Sequence, residues 1–210
     1  MCMQKLEKSL QDSIFHRPCC INSLTPVNIF YSCKDWLCLE FTDRDDDNDD
    51  DEDMAPNNPL LLWNPTTREV KHVPGNSIVK SNGHSYIGFG FSLRVKDYKI
   101  VRIHVDELNE KVDGVEVYSM STNLWKEIGF VKDLDNVTMN SSTITVGGEM
   151  EWYGWKRERE DKQEDNYDMM VKFDIASEKF SVSYEPDLSA RLLFHNYIRL
   201  SARGMRSLSC

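Results

Sequence analysis

Trp63–Val70 reads WNPTTREV, Tyr118–Trp125 reads YSMSTNLW and Phe173–Phe180 reads FDIASEKF. Aligned on their first aromatic, the three stretches stand 55 residues apart. Four columns agree in kind: Trp63, Tyr118 and Phe173; Asn64, Ser119 and Asp174; Thr67, Thr122 and Ser177; Val70, Trp125 and Phe180. A short polar side chain at a turn entry accepts hydrogen bonds from downstream backbone, and a Thr or Ser three residues on can bond locally as well. The aromatic before the turn and the large residue after it then face each other across a hairpin. Each copy predicts a strand, a polar turn and a second strand, and the recurrence makes the chain an internal repeat.

The segments around these hairpins are also strand-like. Short runs rich in β-branched and aromatic residues, with turn residues between them, lie on both sides: VNIFYSC and WLCLEF before the first hairpin, YIGFGFSL and YKIVRIHV between the first two, TITVGG and EMEWYGW between the last two. Val101, Ile103 and Val105 alternate with polar residues, which predicts one buried and one wet face. A unit of about 50 residues holding four strands is the signature of a propeller blade. The fold expected is all-β, a kelch-like partial β-propeller of about three blades in an open arc. A closed propeller takes roughly four to eight blades.

The net charge of −10 is local. Nine acids and one arginine lie between Asp43 and Asp53, a charge of −8 that leaves −2 for everything else. Carboxylates this dense repel one another, so 43–59 reads as a solvated acidic loop, with recruitment of a basic partner as the alternative. A calcium loop beginning at Asp45 would need a glycine where Asp50 stands and a glutamate where Pro56 stands, so a metal is not expected there. KREREDKQEDNYD from Lys156 reads as a second exposed loop. Residues 1–26 form a separate segment with a possible helix over Met3–Ile14, placing Leu6, Leu10 and Ile14 on one face. No apolar run reaches the roughly 18 residues of a membrane span, and no secretory leader is apparent. The location expected is cytoplasmic or nuclear.

Candidate chemistry is sparse. The six cysteines (2, 19, 20, 33, 38 and 210) lack paired spacing, and His16 with Cys19 and Cys20 lacks a second ligand pair, so free thiols and no zinc are expected. Gly88-Phe89-Gly90 resembles half of a dinucleotide fingerprint, but it sits between strands, where glycine more often marks a bulge or a close backbone approach. Glu149 and Glu151 alternate with Met150 and Trp152 and are assigned to a solvent face instead of an acid pair. Trp63 and Trp125 are assigned to the core, and Trp155 to the surface. No basic stripe with interleaved aromatics points to nucleic acid. Neither catalysis nor a cofactor is indicated.

The wording of the segments resembles a known family. LLLWNPTTREVKHVP, IGFGFSLRVKDYKIVRI, VEVYSMSTNLWKEI, GGEMEWYGW and VKFDIASEKFSV are similar to the plant F-box-associated domain of F-box/kelch-like and S-locus F-box proteins. The resemblance covers about residues 27–200, leaving 201–210 as a tail. It implies a protein–protein interaction module, the substrate-recruiting part of an SCF-type E3 ubiquitin ligase, which holds its protein target on blade-end loops. In that family an F-box docks onto the Skp1 adaptor. Residues 1–26 are too short for an F-box, so Skp1 binding by this chain is not expected, and the alternative is an F-box-less regulator or a fragment without adaptor activity.

Overall fold

The computed structural model describes residues 24–33, 35–43, 59–75, 83–106, 111–129, 131–135, 137–157 and 166–184. These form three four-stranded sheets in chain order. The first holds β1 (Leu24–Cys33), β2 (Trp36–Asp43), β3 (Leu60–Asn64) and β4 (Glu69–His72). The second holds β5 (Gly83–Ser92), β6 (Asp97–Asp106), β7 (Val112–Ser119) and β8 (Leu124–Glu127). The third holds β9 (Val137–Val146), β10 (Glu149–Arg157), β11 (Asn166–Asp174) and β12 (Lys179–Tyr184). Every neighbouring pair is antiparallel and consecutive, the meander of a propeller blade. The helix expected over Met3–Ile14, and most of the loops at 43–59 and 156–168, lie outside the described residues. β1 starts at Leu24, ahead of the expected Val27. It accommodates Pro26 beside a register shift on an edge strand, where a missing N–H interrupts no inner ladder.

The second sheet lies between the other two. Val101, Ile103, Val115 and Val117 pack with Met150, Trp152, Val171 and Phe173 of the third sheet. On the opposite face, Ile87, Phe89, Ile100 and Tyr118 pack with Trp36, Cys38, Leu60 and Leu62 of the first. β6 is therefore buried on both faces, Lys99, Arg102 and His104 included, and the wet face expected for it does not exist. Sequence alternation marks two chemically different faces, but whether the polar one meets water depends on the neighbouring sheet. The close approach expected at Gly88 and Gly90 has a definite partner. A Cβ on Gly88 would stand 2.5 Å from Trp152 Cζ2, and one on Gly90 would stand 2.6 Å from Thr145 Cγ2.

β5 and β9 run side by side in the same direction. The Thr143 hydroxyl donates to the Ile87 carbonyl at 2.7 Å and the Thr145 hydroxyl to the Phe89 carbonyl at 2.8 Å. These threonines satisfy the free edge of the inner strand. Parallel inner strands give the fold two distinct ends. Turns 65–68, 93–96, 120–123, 147–148 and 175–178 close one end of the sheets. The strand ends joined by 44–59, 107–111 and 158–165 face the other way.

Candidate interaction surface

The tight-turn end is built by the repeat residues. Asn64 Oδ1 accepts from the Thr66 and Thr67 N–H groups at 3.0 and 3.1 Å. Ser119 Oγ accepts from the Thr122 N–H, and Asp174 Oδ1 from the Ser177 N–H. The residue that closes each of these turns has left-handed backbone: Arg68 (φ 61°), Asn123 (φ 58°) and Glu178 (φ 55°). The N–H groups of Asn123 and Glu178 return to the Ser119 and Asp174 carbonyls, both at 2.9 Å. Across the hairpins Trp63 stands opposite Val70, Tyr118 opposite Trp125, and Phe173 opposite Phe180. The two aromatic pairs have ring centroids 5.5 and 4.8 Å apart.

Trp63, Tyr118 and Phe173 are fully buried, whereas Trp125 is only half-buried, so its assignment to the core needs correcting. Its partner Tyr118 lies on an inner-facing strand, but β8 is the outer strand of its sheet. There the indole donates to the Pro74 carbonyl at 2.8 Å and carries the Arg102 guanidinium 5.3 Å from its ring centre. Trp155 is half-buried beside Tyr153 and Met170 instead of exposed. Glu149 and Glu151 are half-buried too, and Glu151 accepts from Lys172 Nζ at 2.8 Å across the β10–β11 pair.

An open groove of about 390 Å³ adjoins the turns of the second and third sheets. Val117 and Leu124 form its apolar side, with Lys99 and Lys126 near Glu178; the Trp125 ring, opposite Tyr118, lies on the other face of β8. Lys99 and Lys126 both donate to Glu178, one to each carboxylate oxygen. Burial pushes the Glu178 carboxyl up, but the hydrogen bonds from Lys126 and Lys99 outweigh it and hold the group below its ordinary value. Hydrogen bonds from Ser177 likewise hold Asp174 down. Asp97 accepts from the Ser119 hydroxyl at 2.6 Å and the Ser121 N–H at 2.9 Å, tying the 120–123 turn to β6.

The described residues hold one further polar constellation, between the first and second sheets. His104 Nε2 lies 3.1 Å from Glu116 Oε1 and His104 Nδ1 lies 3.2 Å from Ser85 Oγ. Arg102 Nη1 is 3.9 Å from the same Glu116 oxygen. Burial lowers the pKa of Arg102, while the Glu116 and Glu40 carboxylates oppose that shift. The arrangement links three adjacent strands under the cover of the first sheet, a setting for a structural network. Sequence reading missed it because Arg102, His104 and Glu116 occupy alternate positions that look solvent-facing. An arginine and a histidine on the same face of a strand, with a glutamate on the next, were the available signal.

Comparison with known proteins agrees with this architecture. A profile of the F-box associated beta propeller domain matches residues 51–209. The chain belongs to this family. Members similar to it include F-box protein At3g08750 of Arabidopsis thaliana, 23% identical over 59% of the chain and 32% of the relative. F-box/kelch-repeat protein At3g17530 of the same plant is 27% identical over 48% of the chain and 26% of the relative. F-box protein CPR1, also from Arabidopsis thaliana, is 24% identical over 62% and 36%. The chain thus spans about a third of the length of the curated relatives it matches. An F-box-associated domain is an interaction module, and the meander sheets of this chain have two ends, the tight turns and the longer connections. Among the described residues no group of three or more His, Cys, Asp or Glu side chains is placed to hold a metal, and no helix is long and apolar enough to cross a membrane.

Proposed function

We propose that this chain, over roughly residues 27–200, is the target-holding domain of an SCF-type ubiquitin ligase. It contributes binding and positioning; the transfer chemistry belongs to the ligase partners. The family match carries this reading. The connections at 43–59, 75–85, 106–114, 132–142 and 156–168 hold the protein target, because loops on a rigid sheet scaffold vary in sequence without disturbing the packing beneath. The ends of the strands supply that scaffold, with Trp63, Tyr118 and Phe173 of the repeat fixing each sheet from within. The working location is the cytoplasm or nucleus, where Skp1 operates.

An F-box fused ahead of residue 1 provides the test. The fusion is expected to co-purify with Skp1 and to shorten the half-life of a definite set of proteins in plant cells. The chain without the F-box should bind Skp1 no better than background and should lengthen the half-lives of the same proteins by competition. If the fusion alters no protein's turnover beyond what the F-box alone does, the recruiting role is wrong.

A further inference from the structure

The exposed large apolar side chains of the described residues are not scattered. Leu93 is 75% exposed, Leu124 66%, Val146 50% and Val95 44%, and all four lie at the tight-turn end of the second and third sheets; only Tyr184 lies elsewhere. Singly such residues are ordinary, but gathered on one end they mark an interaction site. Contacts between the turns make the surface continuous. Arg94 reaches Asp174 at 3.7 Å, Lys99 and Lys126 reach Glu178, and Gly148 lies against Ser92.

Charge is sorted by depth on this end. The carboxylates of Asp97, Glu149, Asp174 and Glu178 are buried or half-buried, and three of them are held by turn hydrogen bonds or lysines. The exposed charged groups of the turns and of the strand residues on the groove face are cations, Arg94, Lys96, Lys126 and Lys179, while the exposed Glu127 points from the other face of β8. An approaching chain therefore meets cations around apolar side chains, Arg94 and Lys126 backed by Asp174 and Glu178 and Lys96 standing in the 93–96 turn, beside a groove of about 390 Å³ whose apolar wall is Val117 and Leu124. That volume is within the roughly 300–1,000 Å³ of pockets that take a small ligand or a side chain.

We propose that the tight-turn end of the second and third sheets is a docking surface for an acidic peptide segment of a partner protein, with Asp or Glu flanking a large apolar residue. The apolar residue enters the groove against Leu124 and Val117, and the acidic residues sit over Lys96, Arg94 and Lys126. Complementary charge raises the encounter rate and rejects basic segments, while the apolar anchor sets the residence time. The surface faces away from the connections assigned to target holding. It rests on the chain being a protein-binding module, but not on any ligase role.

Fluorescence anisotropy of the whole chain with short labelled peptides tests this. A Glu-Glu-Leu repeat is expected to bind at least about tenfold more tightly than a Lys-Lys-Leu or a Glu-Glu-Ser repeat, and more weakly as salt rises. Lys96→Glu with Lys126→Glu, and separately Leu93→Ser with Leu124→Ser, should each remove about tenfold of that affinity. Tyr184→Ser, at the other end, should not change it, and thermal melting checks that every variant is folded. Undiminished binding by both double variants would place the peptide elsewhere and overturn the proposal while leaving the module reading intact. Equal binding of the basic peptide, or no binding of any, would also overturn it. Salt-sensitive self-association in sedimentation that the charge variant abolishes would assign the surface to a second copy of the chain instead.

Discussion

Glu116 is fully buried with one oxygen facing His104 and Arg102, and its other oxygen has no protein partner among the described residues. Its value lies in neutralising Arg102, whose guanidinium is also buried. Removing one partner of such a pair leaves an uncompensated charge, a loss of about 3–5 kcal/mol. Glu116→Ala is therefore expected to cost about that much in urea unfolding, and the double variant with Arg102→Met should recover a large part of it. The left-handed turn residues give the opposite sign. An L-residue in that conformation costs about 1–2 kcal/mol, part of which returns as the extra flexibility of glycine. Arg68→Gly should raise stability by about 0.5 kcal/mol. Asn123→Gly should not, because asparagine tolerates the conformation and its side chain accepts from the Tyr118 hydroxyl at 2.8 Å.

At the scale of the strand and the turn, packing between sheets decides the outcome. Gly88→Ala would drive a methyl into Trp152 and Met150, and overpacking of this kind costs about 1–3 kcal/mol. Trp152→Ala, removing a fully buried side chain from the same contact, should cost about 3–5 kcal/mol by denaturant midpoint. Asp174 and Glu178 have carboxyls held below their ordinary pKa, so folding favours their charged forms. The stability they contribute is complete above the unfolded carboxylate pKa and is lost as pH falls through their lower folded values. Glu178→Gln should therefore flatten the loss of melting temperature with acidification below about pH 4. The hairpins were legible in the sequence because turn chemistry is local: Asn64, Ser119 and Asp174 advertise their turns within three residues. Trp125 was misjudged, and the buried Arg102–His104–Glu116 group passed over, because both depend on which sheet covers which face. No spacing within one strand carries that information.

Across the whole molecule the second sheet bears the packing, since both of its faces are covered. Amide protons of β6 are expected to exchange most slowly, with β12 at the outer edge exchanging first; native-state hydrogen exchange measures the order directly. The two ends of the fold also differ in charge. The segments 44–58, 107–110 and 158–165, which join strand ends on one side, carry formal charges of −7, −2 and −3, while the exposed charges on the tight turns of the second and third sheets are positive. On the two proposals above, each end would accept a partner of opposite charge. The consecutive order of strands within every sheet has a kinetic consequence. Each hairpin closes over a short stretch of chain, so little loop entropy is lost before a sheet exists, and only the docking of one sheet on the next joins distant residues. Folding should therefore advance from the first sheet to the third as the chain leaves the ribosome, with the Thr143 and Thr145 bonds to β5 among the last to form.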